Sequence, residues 1–192
     1  MDPVELFTRS RDLTNQVVAA AGDDAWGEAT PCTEWSVRDV TNHLVVEMLW
    51  VPDILGGRTV DEVGDVHGGD QLGDDPCERF SRTSADAVIA WQDLDSLQQI
   101  VHLSFGDVPA FLYGVQMGTD MLVHGWDIAK GLGRDHELPD DLAHYAYDQN
   151  APMITAEVRA TGIIGPEVQV ADPAPWGHRL LGLLGRDPAW SR

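Results

Sequence analysis

Helical periodicity runs through most of this chain and restricts its fold more than any other feature. Apolar residues recur three or four positions apart in four long stretches, at about 4–20, 36–55, 75–96 and 109–133. A fifth stretch, 139–159, has the same spacing but contains Pro152, which interrupts a helix. Helices of this length joined by polar loops predict an all-α fold, a four-helix bundle.

Local signals indicate where these helices begin and end. Ser36 with Asp39 three residues later is a variant of the capping box, which begins the second helix. Pro76 follows Asp75 at the expected start of the third helix, where proline suits the first position. Gly22 is placed to end the first helix, since glycine commonly follows the last helical residue.

Two segments between the helices differ from them in composition. Residues 56–74 contain six glycines and many acidic residues, which predicts a long surface loop. Residues 100–105 form a short β-type run, and the turn signal Gly106-Asp107 follows. We expect an extended crossover or a small hairpin there.

The last thirty residues are too few for a domain of their own. They combine an extended run at 168–170 with a short helix at about 175–184. We therefore expect a helical-bundle domain at 1–160 and a short C-terminal extension at 161–192 that packs on the bundle.

Charge and cysteine content exclude several classes of partner. The chain of 192 residues has 32 acidic and 12 basic residues, a formal net charge of -20, which repels nucleic acids and anionic membranes. It has no run of about 18 apolar residues, and its N-terminus lacks the pattern of a signal peptide, so we expect a cytoplasmic protein. Cys32 and Cys77 are too few for a disulfide framework, and we interpret both as reduced, packed thiols.

The stretch "TDMLVHGWDIA" at 119–129 places polar residues where a core helix should be apolar. Asp120 and His124 are one helical turn apart on the same face, with Gln116 and Asp127 close to the same line. Such a pair by itself is more typical of hydrogen-bonded core groups than of a metal site. Both interpretations therefore stay open on spacing alone.

A second histidine extends this pattern to a possible ligand set. His43, in "VTNHLVVE", lies off the apolar stripe of the second helix, on a flank shared with Glu47 and Trp50. His43, Asp120 and His124 together offer two imidazoles and one carboxylate, a set that suits zinc, nickel or ferrous iron. Three protein ligands leave a coordination position for water or substrate, which is typical of catalytic sites.

The remaining histidines and the common enzyme motifs give no competing site. No phosphate-binding glycine loop, H-E-x-x-H helix or G-x-S-x-G elbow occurs in the sequence. We predict loop or surface positions for the other five histidines: His67, His102, His136, His144 and His178.

Three sequence blocks in this order resemble a known family: "TPCTEWSVRDVTNHLV", "GTDMLVHGWDIAKGLG" and "RLLGLLGRDPAW". They are similar to the actinobacterial metal-binding family of DinB/YfiT-like four-helix bundles, related to the N-terminal domain of mycothiol-dependent maleylpyruvate isomerase. The resemblance covers about residues 5–190. It implies a divalent metal, zinc before nickel or iron, held by His43, Asp120 and His124, with mycothiol as a co-substrate.

Two departures from this family limit what the resemblance implies about activity. The isomerase has a glutamate where this chain has Asp120, which is one methylene shorter. We also expect this chain to lack the isomerase's additional C-terminal domain. A maleylpyruvate site needs a basic group for a carboxylate, and Arg79 and Arg82 on the third helix are the candidates.

The functional hypothesis is a metal-dependent thiol S-transferase or isomerase that acts on a small electrophile. Asp127 would orient a ligand or accept a proton, or have a plain structural role, and Glu47 is interpreted as an acid on the surface or next to the ligands. Trp35 and Trp126 would wall the pocket. A metal- or thiol-binding stress-response module without turnover, and a purely structural polar network, are the alternatives. The resemblance also leaves a homodimer open.

Overall fold

Four long helices form the core of the computed structural model, which describes residues 1–192. They are α1 (Pro3–Val18), α2 (Val37–Leu55), α4 (Pro76–Gln92) and α5 (Ala110–Gly131), with a one-turn helix α3 (Val60–Val63) between α2 and α4. In the bundle, α1 packs against α5 and α4, and α2 packs against the same two helices. The predicted all-α four-helix bundle is confirmed.

The predicted start signals act through the hydrogen bonds expected of them. The Ser36 hydroxyl accepts from the backbone N–H of Asp39, whose carboxylate accepts in return from the Ser36 N–H. Asp75 caps α4 at the N–H of Glu78, directly before Pro76. Each cap satisfies a backbone donor that has no partner inside the helix.

Close approach of α1 and α5 depends on glycines of α5 that face α1. A Cβ at Gly118 would lie 2.7 Å from Cγ of Leu6 and 3.0 Å from the backbone nitrogen of Phe7. At Gly114 it would lie 2.9 Å from Cβ of Pro3. Because these glycines have no side chains, the backbones of the two helices approach closely. This contact fixes the position of α5 and of the polar residues on its other side.

The structure adds detail to three predicted segments. The surface loop at 56–74 contains α3, which begins with a capping box between Thr59 and Glu62. The fifth helical stretch is interrupted at Pro152 as predicted, and it forms two helices, α6 (Asp140–Asn150) and α7 (Ala156–Ala160), because Pro152 cannot donate a helical hydrogen bond. Residues 168–170 are not a strand, although the Val168 N–H donates to the carbonyl of Gly182.

The short β-type run is a hairpin of β1 (Ile100–Leu103) and β2 (Gly106–Pro109), which pair antiparallel with Leu103 opposite Gly106. It leads directly into α5. The predicted short helix near the C-terminus is α8 (Trp176–Leu183), which packs on α6.

The C-terminal residues share an apolar cluster with the bundle. Leu180 and Leu181 of α8 lie in the same buried cluster as Leu6 of α1 and Leu122 of α5. We keep the division at residue 160 as a proposal about domain organisation. None of the helices has the length and apolar character needed to cross a membrane.

Candidate metal centre

Three polar side chains meet where α2 and α5 face each other. Nε2 of His43 lies 3.0 Å from Oδ2 of Asp120, and Nε2 of His124 lies 3.4 Å from Oδ1 of the same carboxylate. One ligand atom from each residue lies within 4.8 Å of the other two. Asp120 and His124 share a face because they are one turn apart, and the packing of α2 on α5 brings His43 to them.

These separations match what a metal ion requires of its ligands. Two nitrogen or oxygen atoms bound to a tetrahedral zinc ion at its usual bond lengths lie about 3.3 Å apart. The observed 3.0 and 3.4 Å, which end on different oxygens of Asp120, are close to that value. The residues present therefore fit a divalent ion with small adjustments of side-chain torsions.

Charge at the site keeps Asp120 in the ionised form that metal binding needs, whereas it favours the protonated form of His43, so a metal ion would have to displace that proton. Burial alone would raise the pKa of Asp120, but the charges of His124 and His43 outweigh burial and hold this pKa well below its usual range. Asp120 is therefore an anion at neutral pH. Burial would lower the pKa of His43, yet the hydrogen bond and charge of Asp120 raise it overall.

The second ring nitrogen of His124 is also fixed. Nδ1 of His124 lies 2.9 Å from Oδ2 of Asp127, a side chain with no exposed surface. Because a carboxylate only accepts hydrogen bonds, Nδ1 carries a proton and donates it to Asp127, so Nε2 is the nitrogen of His124 that remains to bind a metal ion. Asp127 therefore contacts the ring that it would orient, and its orienting role stays a prediction.

Arg186 is the residue of this network that the sequence analysis missed. Its Nη2 donates to Oδ2 of Asp127 at 3.1 Å, and Nη1 donates to the carbonyl of Leu184. Arg186 lies in "RLLGLLGRDPAW", one of the three blocks that carry the resemblance, and this block was the only signal that could have identified it. It ties the segment after α8 to α5.

Cys32 is a further residue of this network and lies beside Arg186. Its Sγ lies 3.8 Å from Nη2 of Arg186, and Cys32, His124 and Asp127 form a second group whose ligand atoms lie within 4.8 Å of one another. Burial, and then the charge of Asp127, raise the pKa of the Cys32 thiol to about 11. The thiol is therefore protonated at neutral pH, as expected of a packed cysteine.

Trp35 and Glu47 lie around the three converging side chains. The Trp35 ring centroid is 4.9 Å from that of His43 and 5.9 Å from that of His124, with the second pair stacked at 23°. Glu47, one turn after His43, has its pKa raised by burial and by the charge of Asp120. Their roles at a pocket stay predictions.

Trp126 lies elsewhere, which corrects its prediction as a pocket wall. It is buried in the apolar cluster with Leu122 and Leu138, and the Lys130 ammonium lies 5.6 Å from its ring centroid. The reason is helical geometry, because two residues after His124 the side chain points to about the opposite side of α5.

The two arginines expected to hold a substrate carboxylate are also not at the site. Arg79 donates to the backbone carbonyl and the side-chain oxygen of Gln71, and Arg82 is exposed. Gln116, one turn before Asp120, is exposed too. None of the five other histidines is buried, in agreement with the predicted loop and surface positions.

An open cleft of about 500 Å³ adjoins His43. Its lining residues come from the 34–46 region: Glu34, Trp35, Asp39, Asn42, His43 and Val46. Glu34 has a positive φ of 72°, which is uncommon outside glycine and marks the tight turn that places Trp35 at the edge of the cleft. The volume is in the range of small-molecule sites.

Known proteins resemble this chain in sequence and in fold. Residues 7–129 match the mycothiol maleylpyruvate isomerase N-terminal domain family. Uncharacterized proteins from two strains of Mycobacterium tuberculosis are 27% identical over 197 residues, spanning 97% of this chain and 98% of their own length.

Among solved structures, the crystal structure of the mycothiol-dependent maleylpyruvate isomerase superposes with a TM-score of 0.64 at 14% identity, covering 89% of this chain and 75% of the isomerase chain. A mutant of that isomerase gives a TM-score of 0.59 at 15% identity over the same shares. Identities this low establish the fold alone. The sequence match over more than half of the chain establishes more: this protein belongs to the mycothiol maleylpyruvate isomerase N-terminal domain family.

Proposed function

We propose that this protein is a divalent-metal-dependent enzyme that uses a low-molecular-weight thiol, with mycothiol as the first candidate. The observation that carries the proposal is the convergence of His43, Asp120 and His124 beside an open cleft. Zinc is the first candidate metal and nickel or iron the next, because two imidazoles and a carboxylate suit all three.

In this proposal the chain's own residues hold and orient the ligands. His43 and His124 present Nε2, Asp120 presents its carboxylate, and Asp127 keeps His124 in the required tautomer. A bound divalent ion would supply Lewis acidity, which lowers the pKa of a thiol at the open coordination position. Trp35 stacks on the His124 ring and lies tilted beside the His43 ring, where it would limit access of water.

The proposed reaction begins with loss of the thiol proton, and we assign the role of acceptor to Glu47, one turn after His43. The sulfur lone pair then forms a bond to an electrophilic carbon, while the π electrons of the attacked double bond move to a neighbouring electron-withdrawing group. In a transfer reaction the new S–C bond remains, and the proton taken up by Glu47 passes to the carbon that carries the displaced electron pair. In an isomerisation, rotation about the former double bond precedes cleavage of the S–C bond, and the thiol is regenerated.

The partners that follow are a small thiol and a small electrophile. The net charge of -20 makes nucleic acid an unfavourable partner. We keep the cytoplasm as the proposed location, because a reduced thiol co-substrate and two free cysteines suit a reducing compartment.

Metal content tests this proposal most directly. Untagged wild-type protein should contain or take up close to one equivalent of zinc, nickel or iron, measured by inductively coupled plasma mass spectrometry. His124→Ala should lose this metal. His144→Ala is the matched control, because His144 is an exposed histidine on α6, and this variant should keep the wild-type content. Wild-type protein that is metal-free and takes up neither zinc nor nickel would contradict the proposal.

Turnover separates an enzyme from a module that only binds. Metal-loaded protein is incubated with mycothiol and a panel of small electrophiles that includes maleylpyruvate, and loss of thiol and formation of isomerised product are followed by chromatography. Metal-dependent consumption or isomerisation supports the enzyme. Binding of thiol without turnover across the panel would instead indicate the non-catalytic module.

A further inference from the structure

His124 belongs to two ligand clusters at once. We call His43, Asp120 and His124 the outer cluster, and Cys32, His124 and Asp127 the inner cluster. Nε2 of His124 faces the outer cluster, and Nδ1 faces the inner one. An ion of the size and softness of zinc could in principle use either group, because thiolate, imidazole and carboxylate are all zinc ligands.

A positively charged side chain, that of Arg186, already lies in the inner cluster. Nη2 of Arg186 lies 3.1 Å from Oδ2 of Asp127 and 3.8 Å from Sγ of Cys32. A guanidinium group keeps its charge at every pH at which proteins are studied. Asp127 has no exposed surface, and its other carboxylate oxygen has no hydrogen-bond partner, so Arg186 is the cation that compensates its charge.

We propose that Arg186 confines the metal ion to the outer cluster by occupying the inner cluster with its guanidinium group. This inference rests on the proposed function, because it concerns where the ion of that function binds. An ion bound to Cys32 and Asp127 would lie within a few ångströms of Arg186, and the like charges would repel. The same contact holds Asp127 on Nδ1 of His124, which directs Nε2 to the outer cluster.

The position of Arg186 in the chain, after α8, gives the C-terminal segment a role at the proposed metal centre. Arg186 follows α8, and the Leu184 carbonyl holds its guanidinium group from within the same segment. Arg186 is thus a positioning residue that acts through Asp127. Loss of its charge should open a site with a sulfur ligand, which soft divalent ions prefer.

Cobalt substitution tests this inference with a signal other than activity. A thiolate bound to Co²⁺ produces a charge-transfer absorption in the near ultraviolet, whereas imidazole and carboxylate ligands do not. Wild-type protein with one equivalent of Co²⁺ should lack this band. Arg186→Gln should gain it, and Arg186→Gln combined with Cys32→Ser should lose it again. Arg186→Lys, which retains a positive charge, should resemble wild type.

Cys32→Ser in the wild-type background keeps the test decisive even if Arg186→Gln does not fold. It should leave the Co²⁺ dissociation constant nearly unchanged, well under the about 10-fold change expected when a ligand's orienting partner is lost. A thiolate band in wild type, a large loss of affinity in Cys32→Ser, or a folded Arg186→Gln protein without the band each overturns the inference. Failure of wild-type protein to bind Co²⁺ at all contradicts the proposed function itself, and the inference with it.

Discussion

Asp127 accepts a hydrogen bond from Nδ1 of His124 at 2.9 Å, and the same carboxylate oxygen accepts from Arg186 at 3.1 Å. One fully buried oxygen atom therefore orients a candidate metal ligand and anchors the segment that follows α8. This shared atom links the geometry at α5 to residues near the C-terminus.

Asp127→Asn should weaken metal binding by about 10- to 100-fold. The carbonyl oxygen of an asparagine can still accept both hydrogen bonds, but it is neutral, so it holds the Nδ1–H of His124 less strongly and no longer raises the basicity of Nε2. Isothermal titration calorimetry with zinc measures the change. Asp135→Asn is the control, because the Asp135 side chain is 94% exposed. Equal affinities in the wild-type and Asp127→Asn proteins would contradict the orienting role.

Asp120→Ala should abolish stoichiometric metal binding, because it removes the only carboxylate of the outer cluster. Gln116→Ala, one turn earlier on the same helix and exposed, should bind metal as wild type does. Asp120→Glu should retain binding, since it keeps the carboxylate and matches the residue of the isomerase that the chain resembles. Metal analysis after gel filtration compares the three variants, and retained metal in Asp120→Ala would refute this ligand assignment.

Gly118→Ala should destabilise the fold by about 1–2 kcal/mol. Alanine gains up to about 1 kcal/mol of helix propensity over glycine, but overpacking typically costs about 1–3 kcal/mol. Overpacking should dominate, because the added Cβ meets the backbone of Phe7 at 3.0 Å and α1 must move. Urea unfolding gives the difference. Gly27→Ala, where a Cβ meets nothing within 4 Å, should be close to neutral.

Cys32 should react slowly with iodoacetamide near pH 7.5 in metal-free protein. Its pKa of about 11, against an ordinary 9.0, means about a hundredfold less thiolate than an ordinary cysteine has, and thiolate is the reactive form. The rate should keep rising with pH beyond pH 10, where an ordinary cysteine is already almost fully deprotonated. Mass spectrometry of the Cys77→Ser protein follows Cys32 alone. A rate that levels off by pH 10 would show that the thiol is not shielded in this way.

The sequence by itself determined the helices, their caps and the pairing of Asp120 with His124. These features depend on residues at most a few positions apart, so the helical repeat of 3.6 residues is sufficient to predict them. The break between α6 and α7 was predictable for the same reason, since Pro152 acts locally. The same repeat could not predict whether the Trp126 side chain is buried in the core or lines a pocket, because the repeat does not give burial.

Tertiary structure alone decided which residues from distant parts of the chain meet the pair on α5. His43 reaches Asp120 across 77 positions, and Arg186 reaches Asp127 across 59. Both contacts depend on how α2 rotates against α5 and on the path of the chain after α8, which no local pattern encodes. The buried charge of Asp127 makes this path specific, because an unpaired carboxylate there would be strongly unfavourable and Arg186 is the cation that reaches it.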